Sequence, residues 1–277
     1  MPTSTRQGTY ALAPNGTFLG SVNTNDPAAM ARMLRTALAR WEVLRPEERR
    51  RADDPASVRG DIQRPERFFP EDGLVLRVFS RDLPREGVTP DWRGRSWNQD
   101  FAWFRRSEVA RMVPESREPG QKRRVPDDIW VRFVRLNIVD NVRGQTGPYA
   151  PREVKRAELT TEVLDRRGSI VRLRLTGSAR VEAEGRWPIR GFADRQDPSP
   201  QRRGIDLEFF GEAEFDETGG RFVRFDLVGQ GTRWGATQYN GRYDDPGPAP
   251  IGFATRIAGD SPAERVAPAH WFSYGWR

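Results

Sequence analysis

The chain contains no cysteine. Disulfides, thiolate nucleophiles, cysteine-bound zinc and iron–sulfur clusters are therefore excluded. It has one histidine, His270, so no single chain can assemble a metal centre with two or more imidazole ligands. Lysine is nearly as scarce: of 46 basic residues only Lys122 and Lys155 are lysines, and the others are arginine. No stretch approaches the roughly 20 apolar residues of a membrane-spanning helix. The first six residues, Met1 to Arg6, hold no apolar run, so no signal peptide is expected. Zero cysteine suits the cytosol and the periplasm alike; the cytoplasm is the default expectation.

What is present is a chain of 277 residues, 36% hydrophobic, with 26 glycines. That is enough for one large or two ordinary domains with a substantial core. Basic residues exceed the 39 acidic ones, for a net charge of +7. The acids are interspersed among the arginines, unlike the one-sided stripe of a nucleic-acid binder.

Residues 8–13 and 17–22 are expected to form a hairpin around Pro14-Asn15-Gly16. Asp26 and Pro27 then open a helix whose apolar stripe is Met30, Met33, Leu34, Ala37, Leu38 and Trp41. Residues 46–66 carry dense charge and read as a linker. A strand is expected at 73–80, short helices after Ser107 and Pro126, and an aromatic cluster of Trp92, Trp97, Phe101, Trp103 and Phe104. Beyond residue 153 the period changes to two. Leu159, Thr161 and Val163 alternate, as do Val171, Leu173 and Leu175, then Ile205, Leu207 and Phe209, then Val223, Phe225 and Leu227. Such alternation predicts an antiparallel sheet with one wet face. Residues 187–192 read as a further strand, and 251–254 as the last. Gly211, Gly229 and Gly231 suggest bulges or strongly bent strands. The aromatic tail from His270 to Trp276 is expected to pack rather than hang free.

The fold class expected is α+β: a hairpin and helix, a mixed middle segment, and a C-terminal antiparallel β-barrel or curved β-sandwich. The domains expected are 1–45, a linker at 46–66, a mixed segment at 67–150 and a β domain at 151–277.

Two resemblances bear on this. Tyr10 to Gly20, followed by Asn25-Asp26-Pro27 and the helix, resembles the closing hairpin and last helix of thioredoxin-like domains. The resemblance covers residues 8–44 and implies no thiol chemistry, since the family's active-site cysteines have no counterpart. The stretches 97–104, 139–146 and 225–240 are similar to an uncharacterised bacterial family, in which a β-rich region follows a thioredoxin-like segment. That similarity implies no named activity.

The leading functional expectation is a non-catalytic binding or scaffold protein whose β domain holds an apolar small ligand or a protein partner. Trp187, Phe192, Phe209 and Trp234 would line a cavity if the sheet encloses one, with Arg233 able to place its guanidinium against an indole. No cofactor or metal is expected. Asp244-Asp245 precede a proline-rich loop and could ligate a hard cation, but EF-hand spacing is lacking. An alternative is a hydrolase or transferase with His270 as base, Asp140 as its carboxylate and Arg143 as anion clamp. Asp140, Asn141, Arg143 and Gln145 form a dense polar set whose other reading is backbone capping. A second alternative is an arginine-driven polyanion binder. Aromatics beside arginines at 101–106 could stack bases, though no nucleic-acid-binding motif accompanies them.

Overall fold

A computed structural model describes residues 8–24, 26–51, 65–88, 93–190 and 198–276. The chain divides into two compact units, Met1–Arg64 and Pro65–Arg277. In the first, Thr9–Leu12 (β1) pairs antiparallel with Phe18–Val22 (β2), and Pro27–Glu42 (α1) follows. The turn is closed by Gly16 N donating to Ala13 O and Ala13 N to Thr17 O. Asp26 caps α1 by accepting from the backbone N of Ala28 and Ala29, and Pro27 spends no donor at the first position. The core of this unit is small. Ala13, Leu19 and Ala37 are buried, and Met33 and Trp41 are partly so. Leu34 and Leu38, on the expected apolar stripe, are exposed.

The second unit is built on one eight-stranded sheet. Its strands are Leu74–Asp82 (β3), Trp97–Phe104 (β4), Lys122–Arg124 (β5), Val154–Arg167 (β6), Ile170–Arg186 (β7), Pro200–Asp216 (β8), Arg221–Trp234 (β9) and Ala249–Ile257 (β10). They lie in the order β4-β3-β10-β9-β8-β7-β6-β5, with every neighbouring pair antiparallel. Strands from the middle of the chain therefore share a sheet with those of the C-terminal half.

The expected barrel or sandwich is corrected: this is a single open sheet, with β4 and β5 as its edges. Closure needs two edge strands able to bond each other, and neither is available. β5 has only three residues, all basic. Two carbonyls of β4 are already taken by side chains, Phe101 O by Asn137 Nδ2 at 3.0 Å and Trp103 O by Arg132 at 3.3 Å. The strand expected at 187–192 is also corrected. β7 ends at Arg186, Pro188 interrupts pairing because it has no N–H, and residues 191–197 lie outside the described residues. No bulge occurs at Gly211, Gly229 or Gly231, since the β8–β9 register runs unbroken through all three. Gly229 instead makes room for an aromatic ring: a Cβ there would stand 2.6 Å from Phe209 Cε1.

Period-two alternation gives the sheet one apolar face. Leu159, Val171, Leu173, Leu175, Ile205, Leu207, Phe209, Phe225, Leu227, Ile251 and Phe253 are all buried on it. Against them packs Asp127–Asn137 (α3) through Ile129, Trp130, Phe133 and Val134. Trp130 meets Phe209 edge-on at 5.4 Å. The short helix Arg106–Arg111 (α2) adds Val109 to the same core. Phe104 belongs to this core as well, while Phe101 and Trp103 are buried in a second cluster. The aromatics of 101–104 thus present no face on which a base could stack.

That second cluster forms where the aromatic tail does pack. Tyr274 accepts at its hydroxyl from Trp103 N at 3.1 Å, and Phe69 stands 5.1 Å from Trp103 and 5.3 Å from Tyr274. Phe68 stacks on Trp271.

A candidate ligand groove on the open face of the sheet

Strand alternation assigns the other side of the sheet to solvent, and its two halves differ. Across β6 to β9 it is a lattice of ion pairs: Arg156 with Asp206, Arg180 with Asp206 and Glu182, Arg172 with Asp165, Arg224 with Asp226. Each exposed pair contributes roughly 0–1 kcal/mol. Much of the arginine excess noted in the sequence is spent here on acidic neighbours.

Toward β10, β3 and β4 the same face is apolar. Register places Phe210, Val228, Ala254 and Phe79 in one row across β8, β9, β10 and β3. The adjacent row runs Gln230, Gly252, Arg81 and Trp97. The strand in the middle, β10, contributes only Gly252 and Ala254 to these rows, so the floor sinks between larger neighbours. A Cβ at Gly252 would lie 2.9 Å from Leu83 Cδ2; the glycine lets Leu83 fold down onto the sheet beside the trough. Phe79 and Trp97 form the wall, with ring centroids 6.0 Å apart, and Arg77 stacks on Phe79 at 4.9 Å. Trp97 is 62% exposed, unusual for a tryptophan with so much apolar surface. The resulting groove has a volume of about 390 Å³ and is lined mainly by carbon, within the size range of small-molecule sites.

The outward residues farther along β3 and β4 are Val75, Phe101 and Trp103, which the aromatic tail covers. The covering stops before Phe79 and Trp97, which remain open on the same face of the same strands.

The residues singled out in the sequence are distributed differently. Phe209 lies on the inner face within the core. Trp187 packs at the core's margin and donates its indole N–H to Ala236 O at 2.8 Å. Trp234 lies on the outer face, and its cationic neighbour is Arg180 at 5.6 Å. Arg233, one residue before, points to the opposite face and is fully buried. Phe192 lies outside the described residues. The four described side chains therefore do not converge on one cavity.

Arg233 belongs to a buried ion cluster at one end of the inner face. Arg242, also without exposed surface, binds Asp82 through two nitrogens (2.7 and 2.8 Å) and Asp140 through two (2.8 and 2.9 Å). Arg143 reaches Asp82 at 2.7 Å and Asp245 at 3.2 Å. Asp245 also receives Arg233 at 2.5 Å and both terminal nitrogens of Arg85. Burial opposes ionisation of Asp245, but hydrogen bonds and charge from Arg85 and Arg233 outweigh it and hold its pKa at about 2. The same competition, won by Arg242 and Arg143, holds Asp82 below the ordinary aspartate range. Asp244 pairs with Arg93. Asn141 Oδ1 accepts from Thr146 N at 2.7 Å, the capping role open to that segment.

Asp140 and Arg143 thus share one cluster, both already engaged. Among the described residues, no hydrogen bond or ion pair joins either to His270. The imidazole contacts Phe272 edge-on, and its buried Nε2 has no hydrogen-bond partner. Burial, helped by the charge of Arg203, lowers its pKa. Among the described residues, no three His, Asp or Glu side chains are grouped to hold a metal ion, and no helix is long and apolar enough to cross a membrane.

No family model, curated protein or solved structure matches the chain.

Proposed function

We propose that the protein is a binding protein whose β-sheet holds an apolar small ligand in the groove between Trp97, Phe79 and Val228. The observation that carries this reading is the trough itself. Small residues occupy the middle strand, large apolar ones flank it, and a tryptophan stands open at its rim. Exposed apolar surface of this kind is retained against the solubility cost when something covers it.

The groove is open, so a ligand buries about one side. For an eight-carbon chain, half-burial at roughly 0.8 kcal/mol per methylene gives about 3 kcal/mol, and contact with the indole adds about 1 kcal/mol. The expected Kd is on the order of 1 mM for a simple alkyl ligand, tighter for one with further polar contacts.

The test is titration with N-phenyl-1-naphthylamine, a neutral apolar probe that brightens when it leaves water. The native chain is expected to enhance its emission saturably. Trp97→Ala, an exposed substitution with little stability cost, is expected to weaken that enhancement at least fivefold. Undiminished probe binding by Trp97→Ala would count against this groove.

The reading with His270 as base draws less support. Both oxygens of Asp140 are occupied by Arg242, and Arg143 is held by Asp82 and Asp245.

A further inference from the structure

The groove has a charged end. Where β3 leaves the sheet, the apolar trough runs into a second hollow of about 430 Å³. Arg81, Leu83 and Arg95 border both. The other arginines of this hollow are neutralised by carboxylates: Arg85 by Asp245, Arg93 by Asp244, and Arg143 by Asp82 and Asp245. Arg81 and Arg95 are not. Arg81 makes one long bond of 3.4 Å from Nε to the Asp82 carbonyl. Arg95 has no hydrogen bond or ion pair among the described residues. Both are exposed, and both stand where the apolar lining ends.

A surface built from ion pairs across β6 to β9 therefore leaves two guanidinium groups without a carboxylate partner among the described residues at the mouth of its apolar trough. A planar guanidinium is well matched to a carboxylate or phosphate, with paired N–H donors and a charge-assisted bond. An uncharged ligand would fill the trough and leave these groups idle. A cationic one would be repelled by them. The side chains around the trough offer no carboxylate to a positive head group: its polar members are Ser80, Arg81, Arg95 and Gln230.

Building on the apolar-ligand reading above, we propose that the ligand is a single-chain amphipathic anion. Its tail lies along Phe79, Trp97 and Ala254, and its head group is held by Arg81 and Arg95. At roughly 30 Å³ per water-sized group, the apolar part holds on the order of a dozen heavy atoms. That is a medium-length alkyl or small aromatic tail rather than a long lipid. The occupant is a free amphiphile, not a membrane surface.

Three ligands matched in tail length separate the charge from the chain: octanoate, 1-octanol and octylammonium, each used to displace N-phenyl-1-naphthylamine from the full-length protein. Octyl phosphate serves as a second anionic head. Octanoate or octyl phosphate is expected to bind at least tenfold tighter than 1-octanol, with octylammonium weakest. Raising salt to 0.5 M is expected to narrow the gap, because exposed charges are screened within roughly 3–10 Å over that range. In Arg81→Gln/Arg95→Gln, whose changes touch only exposed side chains, the preference for octanoate over 1-octanol is expected to disappear. Equal binding of octanoate and 1-octanol by the native chain would overturn the anionic head while leaving the apolar groove standing. So would full octanoate affinity in the double variant. Binding to anionic vesicles without binding of free octanoate or octyl phosphate would overturn the free-amphiphile assignment. Binding of none of them would overturn the groove as well.

Discussion

Arg242 shows most clearly what a single residue does in this protein. Its side chain is fully buried, yet it carries a charge, because Asp82 and Asp140 meet it on two sides. The cluster ties three separate stretches together: the end of β3, the segment after α3, and the β9–β10 connection. Replacing one member of such a set costs more than the set itself contributes, since the remaining charges lose their partner inside the protein. Asp82 keeps Arg143, but among the described residues Asp140 is ion-paired with Arg242 alone. Arg242→Met is therefore expected to lower unfolding free energy at neutral pH by about 3–5 kcal/mol, measured by urea denaturation. Acid should reveal the same chemistry. A carboxylate held below its unfolded pKa stabilises the fold above that pKa, and the gain is lost as pH falls through the folded value. For Asp245, depressed from 3.8 to about 2, the window is pH 4 down to 2, and Asp82 acts in the same direction. Asp100 works oppositely: burial raises its pKa, so acid favours its folded form and offsets part of the loss. The native chain should lose stability across this window. The deficit of Arg242→Met should shrink there, because protonated carboxyls no longer need the missing cation. A deficit that stays constant down to pH 2 would show that Arg242 acts through packing alone.

At the scale of elements, β10 is decisive. It is the shared neighbour of β3 and β9, and its two faces are written alternately: Ile251 and Phe253 inward, Gly252 and Ala254 outward. The inward pair fills the core. The outward pair leaves the trough. Ala254→Phe would fill that trough from its floor without touching the core. It is expected to abolish probe binding while leaving the thermal midpoint within a few degrees of native; retained binding would mean that the floor of β10 is not part of the site. Much of this element level was legible beforehand. The β7 and β8 alternations, the Asp26-Pro27 helix start and the packing tail follow from local pattern, and local pattern is what periodicity reports; in β9 the expected alternation holds at Phe225 and Leu227, but a register shift against β8 buries Phe222 and leaves Val223 exposed. The trough was not. It arises from register between strands up to 175 positions apart, Phe79 beside Ala254 and Val228, and periodicity carries no register between distant strands. A signal was present all the same: small residues alternating with large ones in Gly252-Phe253-Ala254, and aromatics at three of the four outward positions from Trp97 to Trp103. The tryptophan and phenylalanines singled out instead were chosen for a lumen, and an open sheet has none. Their strand parity then separated Phe209 from Trp234 and Arg233 from its expected indole.

For the molecule as a whole, the two units differ in how much they bury. Met1–Arg64 has a core of three small or medium side chains, whereas Pro65–Arg277 has a continuous core through sheet and helix. The larger unit therefore carries the continuous core, and the outer face of its sheet carries the groove proposed above as the binding site. The most direct test is a heteronuclear NMR titration of the full chain with octanoate, read at backbone amides. The account predicts saturable shifts confined to the outer-face half of β3, β4, β9 and β10, centred on Phe79, Trp97, Val228 and Ala254, with β6 and β7 unmoved. Shifts spread across the ion-pair lattice, shifts centred on His270, or none at millimolar ligand would contradict it.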